Sequence, residues 1–159
     1  MHALVRQSGH YQICLVAANK PAAGLDIAGQ HGITTCLVPR RDYDSKASHE
    51  AALADAIEAS EAEWICLAGY MAVLSAEFIA RFSGRIINIH PSLLPDYKGL
   101  DTHKRALADN QSSHGVSVHL VTPELDDGAV IAQMRLPVRL EDDEDVQNVY
   151  TNLKPAEDE

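Results

Sequence analysis

The stretch Ile87-Asn88-Ile89-His90-Pro91-Ser92-Leu93-Leu94-Pro95 decides how this chain is read. A β-branched apolar run ends on a proline-bounded loop. On the way it delivers an amide and an imidazole two residues apart. Alternate residues of a strand face one side, so Asn88 and His90 converge on one reaction centre. In an open α/β sheet, ligands bind beyond the carboxyl ends of the strands, which is where this pair falls. Taken alone, Asn-x-His also serves to cap backbone groups, and the later Asp126-Asp127-Gly128 also reads as a turn.

Working outward, three further apolar runs have strand character: Gln12–Ala17, Thr34–Val38 and Trp64–Ala68, with Arg85–Ile89 as the fourth. Helical spacing separates them over Ala22–Gln30, Ser48–Ser60 and Ser75–Phe82, the last two opening on serine caps. Strands alternating with helices predict βαβ units and a mostly parallel, Rossmann-like α/β sheet flanked by helices. The last third differs. Thr102–Asp109 reads as helix, and Gly115–Thr122 and Val130–Val138 read as extended segments, an antiparallel extension. A helix is expected over 143–153, with Val146, Val149 and Leu153 as its apolar stripe. The whole chain, 1–159, is expected to be a single domain.

Composition removes several function classes. Thirteen Lys and Arg against 23 Asp and Glu give a net charge of −10, which argues against nucleic-acid binding through phosphate neutralisation. No apolar stretch has membrane-spanning length, so no membrane partner is expected. Cys14, Cys36 and Cys66 lie far apart in apolar runs and form no zinc motif; they are expected to be buried, reduced thiols in a cytoplasmic protein. No metal is expected. His119 sits mid-strand and reads as a hydrogen-bonded structural residue. His2, His10, His31, His49, His103 and His114 read as surface or loop residues.

The amide, the imidazole and a carboxylate from Asp126 suit acyl transfer. The Asn88 N–H₂ donates to a developing oxyanion. The His90 ring moves protons near neutral pH, and a nearby carboxylate favours its charged form. No serine or cysteine nucleophile is evident, which favours direct attack by a substrate amine or water.

Three blocks carry a resemblance. Leu67–Ser75 (LAGYMAVLS), Ile87–Leu107 (INIHPSLLPDYKGLDTHKRAL) and His114–Gln133 (HGVSVHLVTPELDDGAVIAQ) closely resemble the glycinamide ribonucleotide transformylases, or phosphoribosylglycinamide formyltransferases. The likeness runs in register from about His2 to Val138. It implies a formyltransferase fold. It also implies transfer of a formyl group from 10-formyltetrahydrofolate, as cosubstrate, to the amine of glycinamide ribonucleotide in purine (IMP) synthesis. Carried over, Asn88 polarises the formyl carbonyl and His90 is the proton donor. Asp126 raises the His90 pKa and orders the relay water. Met71, Ala72, Val73 and Leu74 contact the folate head group. Thr122, Pro123, Glu124, Leu125 and Asp126 form the facing loop, and Lys46 meets the glutamate tail. Ala72 stands where relatives commonly have Arg, so only a backbone contact carries over there.

The ends depart from the family. Met1 falls within the helix that should follow the first strand, so that strand and its Gly-rich phosphate loop are expected to be missing. Val149–Pro155 does not follow the family pattern. An incomplete domain, a ribonucleotide site without assigned residues and an exposed sheet edge covered by a second copy, as a homodimer, are the resulting expectations. Two alternatives stand beside transfer: formyltetrahydrofolate hydrolysis, with water replacing the amine, and a catalytically impaired folate-binding remnant.

Overall fold

The structure, a computed structural model, describes residues 9 and 11–138. The expectations for residues 1–8 and for the 143–153 helix lie outside the described residues. Chain contacts divide the protein into two compact units, residues 1–65 with 74–81, and residues 66–73 with 82–159.

In the first unit, β1 (Val16–Ala18) and β2 (Thr35–Leu37) pair in parallel, with α1 (Ala23–Gln30) between them in the chain. The run from Gln12 becomes strand only at Val16, where Thr35 lies opposite. A 3₁₀ turn (Arg40–Asp42) leads to α2 (Lys46–Ala59). This helix starts earlier than its apolar spacing predicts, because Ser45 rather than Ser48 is the cap. The Ser45 hydroxyl accepts from the Ser48 N–H at 3.0 Å, and the Ser48 hydroxyl reaches back to the Ser45 N–H at 3.2 Å. Such a cap stabilises a helix by about 1 kcal/mol. α3 (Ala76–Arg81) is tied to α2 by Arg81, which bridges Asp55 at 2.7 Å and Glu58 at 2.6 Å. Leu53, Ala54 and Ile57 of α2 and Phe78 and Ile79 of α3 are buried.

The second unit holds a four-stranded sheet in the order β3 (Ile65–Leu67), β4 (Ile86–His90), β5 (Ser113–Leu120), β6 (Val130–Pro137); the unit boundary falls after Ile65. β4 to β5 and β5 to β6 are antiparallel, the expected extension. The register sets Asn88 opposite His119 and His90 opposite Ser117. These four residues therefore share one face of the sheet, together with the buried Ile86. Between β4 and β5 the chain forms a long loop and α4 (Thr102–Ala108).

Gly115 lets β5 and β6 approach. A Cβ built there overlaps the Met134 carbonyl and crowds the Leu93 side chain at 2.8 Å. A backbone carbonyl in a ladder cannot move aside as a side-chain tip can. Gly115→Ala is expected to lower unfolding stability by about 2 kcal/mol, read as a lower urea midpoint at unchanged slope. An unchanged midpoint would show that the two strands can separate without cost.

Candidate active site

The centre is built on β4 and closed by two loops. Ser117, fully buried on β5, pins the first of them. Its hydroxyl donates to Ser92 O at 2.7 Å and accepts from Leu94 N–H and Gln133 Nε2, each at 2.9 Å. Gln133 Nε2 also donates to Leu94 O at 2.8 Å, and Thr102 Oγ1 to Pro91 O at 2.7 Å. The proline-bounded loop after His90 is thus held from β5, β6 and α4 at once.

Asn88, His90 and Asp126 come together. The His90 Nδ1 lies 3.3 Å from Asp126 Oδ2, and both side chains are nearly excluded from solvent. His90 Nε2 lies 2.9 Å from Tyr97 O. Carbonyl and carboxylate oxygens are both acceptors, so a ring that donates to both carries a hydrogen on each nitrogen. Asp126 reaches inward from a left-handed backbone conformation, φ 50°. Its Oδ2 also accepts from the Gly99 N–H at 2.9 Å.

His119 completes the centre, which its sequence position did not reveal. Its Nε2 lies 3.2 Å from Asn88 Nδ2 and 3.6 Å from Asp126 Oδ1, and its Nδ1 lies 2.8 Å from Leu120 O. Leu120 O only accepts, so Nδ1 donates to it. In that tautomer Nε2 accepts one Asn88 N–H, which fixes the amide and leaves its second N–H and its oxygen for a ligand. The signal available in the sequence was the Ser117-x-His119 alternation, a polar face matching Asn88-x-His90.

The other expected contact residues divide between the units. Met71, Ala72 and Val73 are exposed in the second unit, with Met71 and Val73 67% and 63% accessible. Leu74 is buried and belongs to the first. The loop of Thr122, Pro123, Glu124 and Leu125 is in the second unit. Thr122 Oγ1 donates to Glu124 O at 3.2 Å, and the Leu125 side chain is exposed. Lys46 is in the first unit, in the first turn of α2, where its Nζ lies 3.7 Å from the buried Glu50.

Three histidines and the cysteines correct the sequence reading. His49 is buried, with Nε2 2.9 Å from Val38 O. His114 is buried, and the His103 ring packs edge-on against it with centroids 4.6 Å apart. Their sequence neighbours are polar, but long-range packing covers them. Conversely, Cys14 and Cys36 are half-buried and Cys66 is exposed, all as free thiols; Cys36 and Cys66 lie on three-residue strands that leave one face open, and Cys14 precedes the first strand.

Burial, and then repulsion from His114 and His90, lowers the His103 pKa to about 4. His114 is also shifted down, by burial first, against a bond to the Pro91 backbone that acts the other way. An unfolded histidine titrates near 6.5. As pH falls from about 6.5 to about 4, the unfolded chain takes up protons that the folded rings refuse, so stability falls. Above that window these rings contribute no pH dependence. Urea midpoints are expected to drop across it, and less steeply for His103→Phe. A parent profile no steeper than that of the variant would contradict this origin.

Comparison with known proteins places the chain in a family. The formyl transferase family matches residues 1–159, and the chain belongs to that family. It is 44% identical over 131 residues to the phosphoribosylglycinamide formyltransferase of Escherichia coli K12, covering 82% of this chain and 62% of that protein. It is 42% identical over 140 residues to the trifunctional purine biosynthetic protein adenosine-3 of Drosophila melanogaster, covering 87% of this chain and 10% of that protein. The chain thus spans under two thirds of either relative. The solved structure of the Coxiella burnetii phosphoribosylglycinamide formyltransferase superposes with a TM-score of 0.85 at 38% identity, covering 96% of this chain and 72% of that one. The α/β formyltransferase fold is therefore this protein's fold.

Proposed function

We propose that the chain transfers a formyl group from 10-formyltetrahydrofolate to the amine of glycinamide ribonucleotide, a step of purine synthesis. The observation that carries this is the convergence of His90 and Asp126, with Asn88 joined to them through His119, within one unit. The amine nitrogen attacks the formyl carbon. Negative charge grows on the formyl oxygen, and the free Asn88 N–H stabilises it. His90 supplies a proton to the departing folate nitrogen as the carbon–nitrogen bond breaks. Asp126 orients the imidazole, and the proton released by the amine returns through water. Among the described residues no group of three or more His, Cys, Asp and Glu is placed to hold a metal, and no step here calls on one.

The folate fits the residues present. Exposed apolar side chains of Met71, Val73 and Leu125 suit a planar ring system, and their backbone amides suit its polar edge. Leu74 and Lys46 are included in this donor site by resemblance, Lys46 toward the glutamate tail. The names of the relatives favour transfer over hydrolysis. That residues 1–159 act as one formyltransferase domain in the cytoplasm, as a homodimer, belongs to the same proposal; sedimentation equilibrium tests the dimer. Release of tetrahydrofolate, followed with and without the ribonucleotide, tests the reaction. Release that depends on the ribonucleotide is expected, and equal release without it would identify a hydrolase.

A further inference from the structure

The strap Tyr97–Leu100 supplies the backbone partners of both members of the acid–carboxylate pair. Tyr97 O faces His90 Nε2, and Gly99 N–H donates to Asp126 Oδ2. The strap is an unusual piece of backbone. Tyr97, Gly99 and the following Asp101 all have positive φ, at 55°, 80° and 55°. Left-handed conformations are unfavourable at non-glycine residues, so contacts from outside the strap are needed to hold it.

That support comes from α4. Arg105 Nη1 donates to Lys98 O at 2.7 Å and to Leu100 O at 3.3 Å. Its guanidinium also lies over the Tyr97 ring, 5.4 Å from the centroid. One side chain therefore grips the strap on both sides of Gly99 and stacks on its first residue. A second brace joins the Tyr97 hydroxyl to Asp109 Oδ2 at 2.9 Å, just past the end of the helix. Lys98 pairs with Asp127, beside Asp126 in the facing loop. The helix itself is anchored by Thr102 to Pro91 O and by the buried Ala106.

We infer that Arg105 is a positioning residue for the transfer reaction: acting through the strap, it sets the hydrogen-bond partners that aim His90 and Asp126. It touches neither reacting group. Its planar guanidinium suits the task, since Nη1 donates to two carbonyls while the plane lies over a ring, and a lysine ammonium has no plane to stack. Small displacements at a reacting centre are costly in rate, so a loose strap lowers kcat rather than substrate affinity.

This inference rests on the transfer reading, and its test separates the two. Amide exchange at Gly99, followed by NMR on the intact chain, reports the strap without any activity. Arg105→Ala is expected to speed Gly99 exchange about tenfold while β5 amides keep their protection. It should also lower kcat about tenfold with KM within twofold, and Arg105→Lys should recover only part of that loss. Unchanged Gly99 exchange, an equal rise throughout β5, an unaltered kcat, or full recovery in Arg105→Lys would overturn the inference. Should Arg105→Ala fail to fold, Arg105→Gln, which keeps one donor and a good helix former, is read by the same criteria. If the parent transfers no formyl group but Gly99 exchange responds as stated, the transfer reading falls and the bracing of the strap by Arg105 stands.

Discussion

His90→Ala is expected to lower the turnover of formyl transfer about a thousandfold, within the range that a positioned proton donor supplies. The ring sits between Tyr97 O and Asp126 Oδ2, 2.9 and 3.3 Å from its two nitrogens, and alanine leaves both oxygens without it. The His119 ring, 6.4 Å away between centroids, is not placed to substitute, because its nitrogens face Asn88 and Leu120 O. The loss should fall on kcat, because His90 acts on charge that develops only as the carbon–nitrogen bond breaks. Steady-state rates at saturating donor and acceptor check it. A loss under tenfold would remove His90 from proton transfer.

Asn88→Ala is expected to lower turnover about a hundredfold, the usual consequence of deleting one oxyanion donor. The structure adds a reason for the amide to be well aimed. His119 accepts one Asn88 N–H at 3.2 Å, so the second points where it is fixed rather than sweeping freely. Asn88→Asp should be at least as harmful, since a carboxylate there repels the charge it must stabilise. Both variants should retain the folded urea midpoint to within about 1 kcal/mol of stability. A variant that keeps full turnover would leave the oxyanion without its proposed donor.

How far these residues were legible beforehand differs by kind. Asn88 and His90 were readable because strand alternation is local, and two residues of one strand need no fold to be placed on one side. The helices α1, α3 and α4 were readable to within a residue or two at each end for the same reason. Ser45 was missed as a cap because Ser48, three residues on, is an equally good cap in isolation; both take part, and only the backbone shows which comes first. Asp126 could be offered from the sequence as a carboxylate partner, but a turn sequence gives no sign of the sheet face it returns to, and only the resemblance gave it a definite role. His119 meets Asn88 on another strand, 31 residues away, and read as a structural residue. His103 and His114 meet across 11 residues through the packing of α4 on β5, which polar neighbours in the sequence conceal. Nothing in the sequence singles out Arg105; its value lies in the two carbonyls that a left-handed strap turns toward it.

Asn88, His90 and Asp126 are proposed as a formyl-transfer centre. Carbon-13 in the formyl group of 10-formyltetrahydrofolate tests that most directly when its fate is followed by NMR with glycinamide ribonucleotide present. The label is expected in the N-formyl product at a rate that His90→Ala cuts about a thousandfold. Label appearing only in formate, or reaching the product equally fast in His90→Ala, would contradict it.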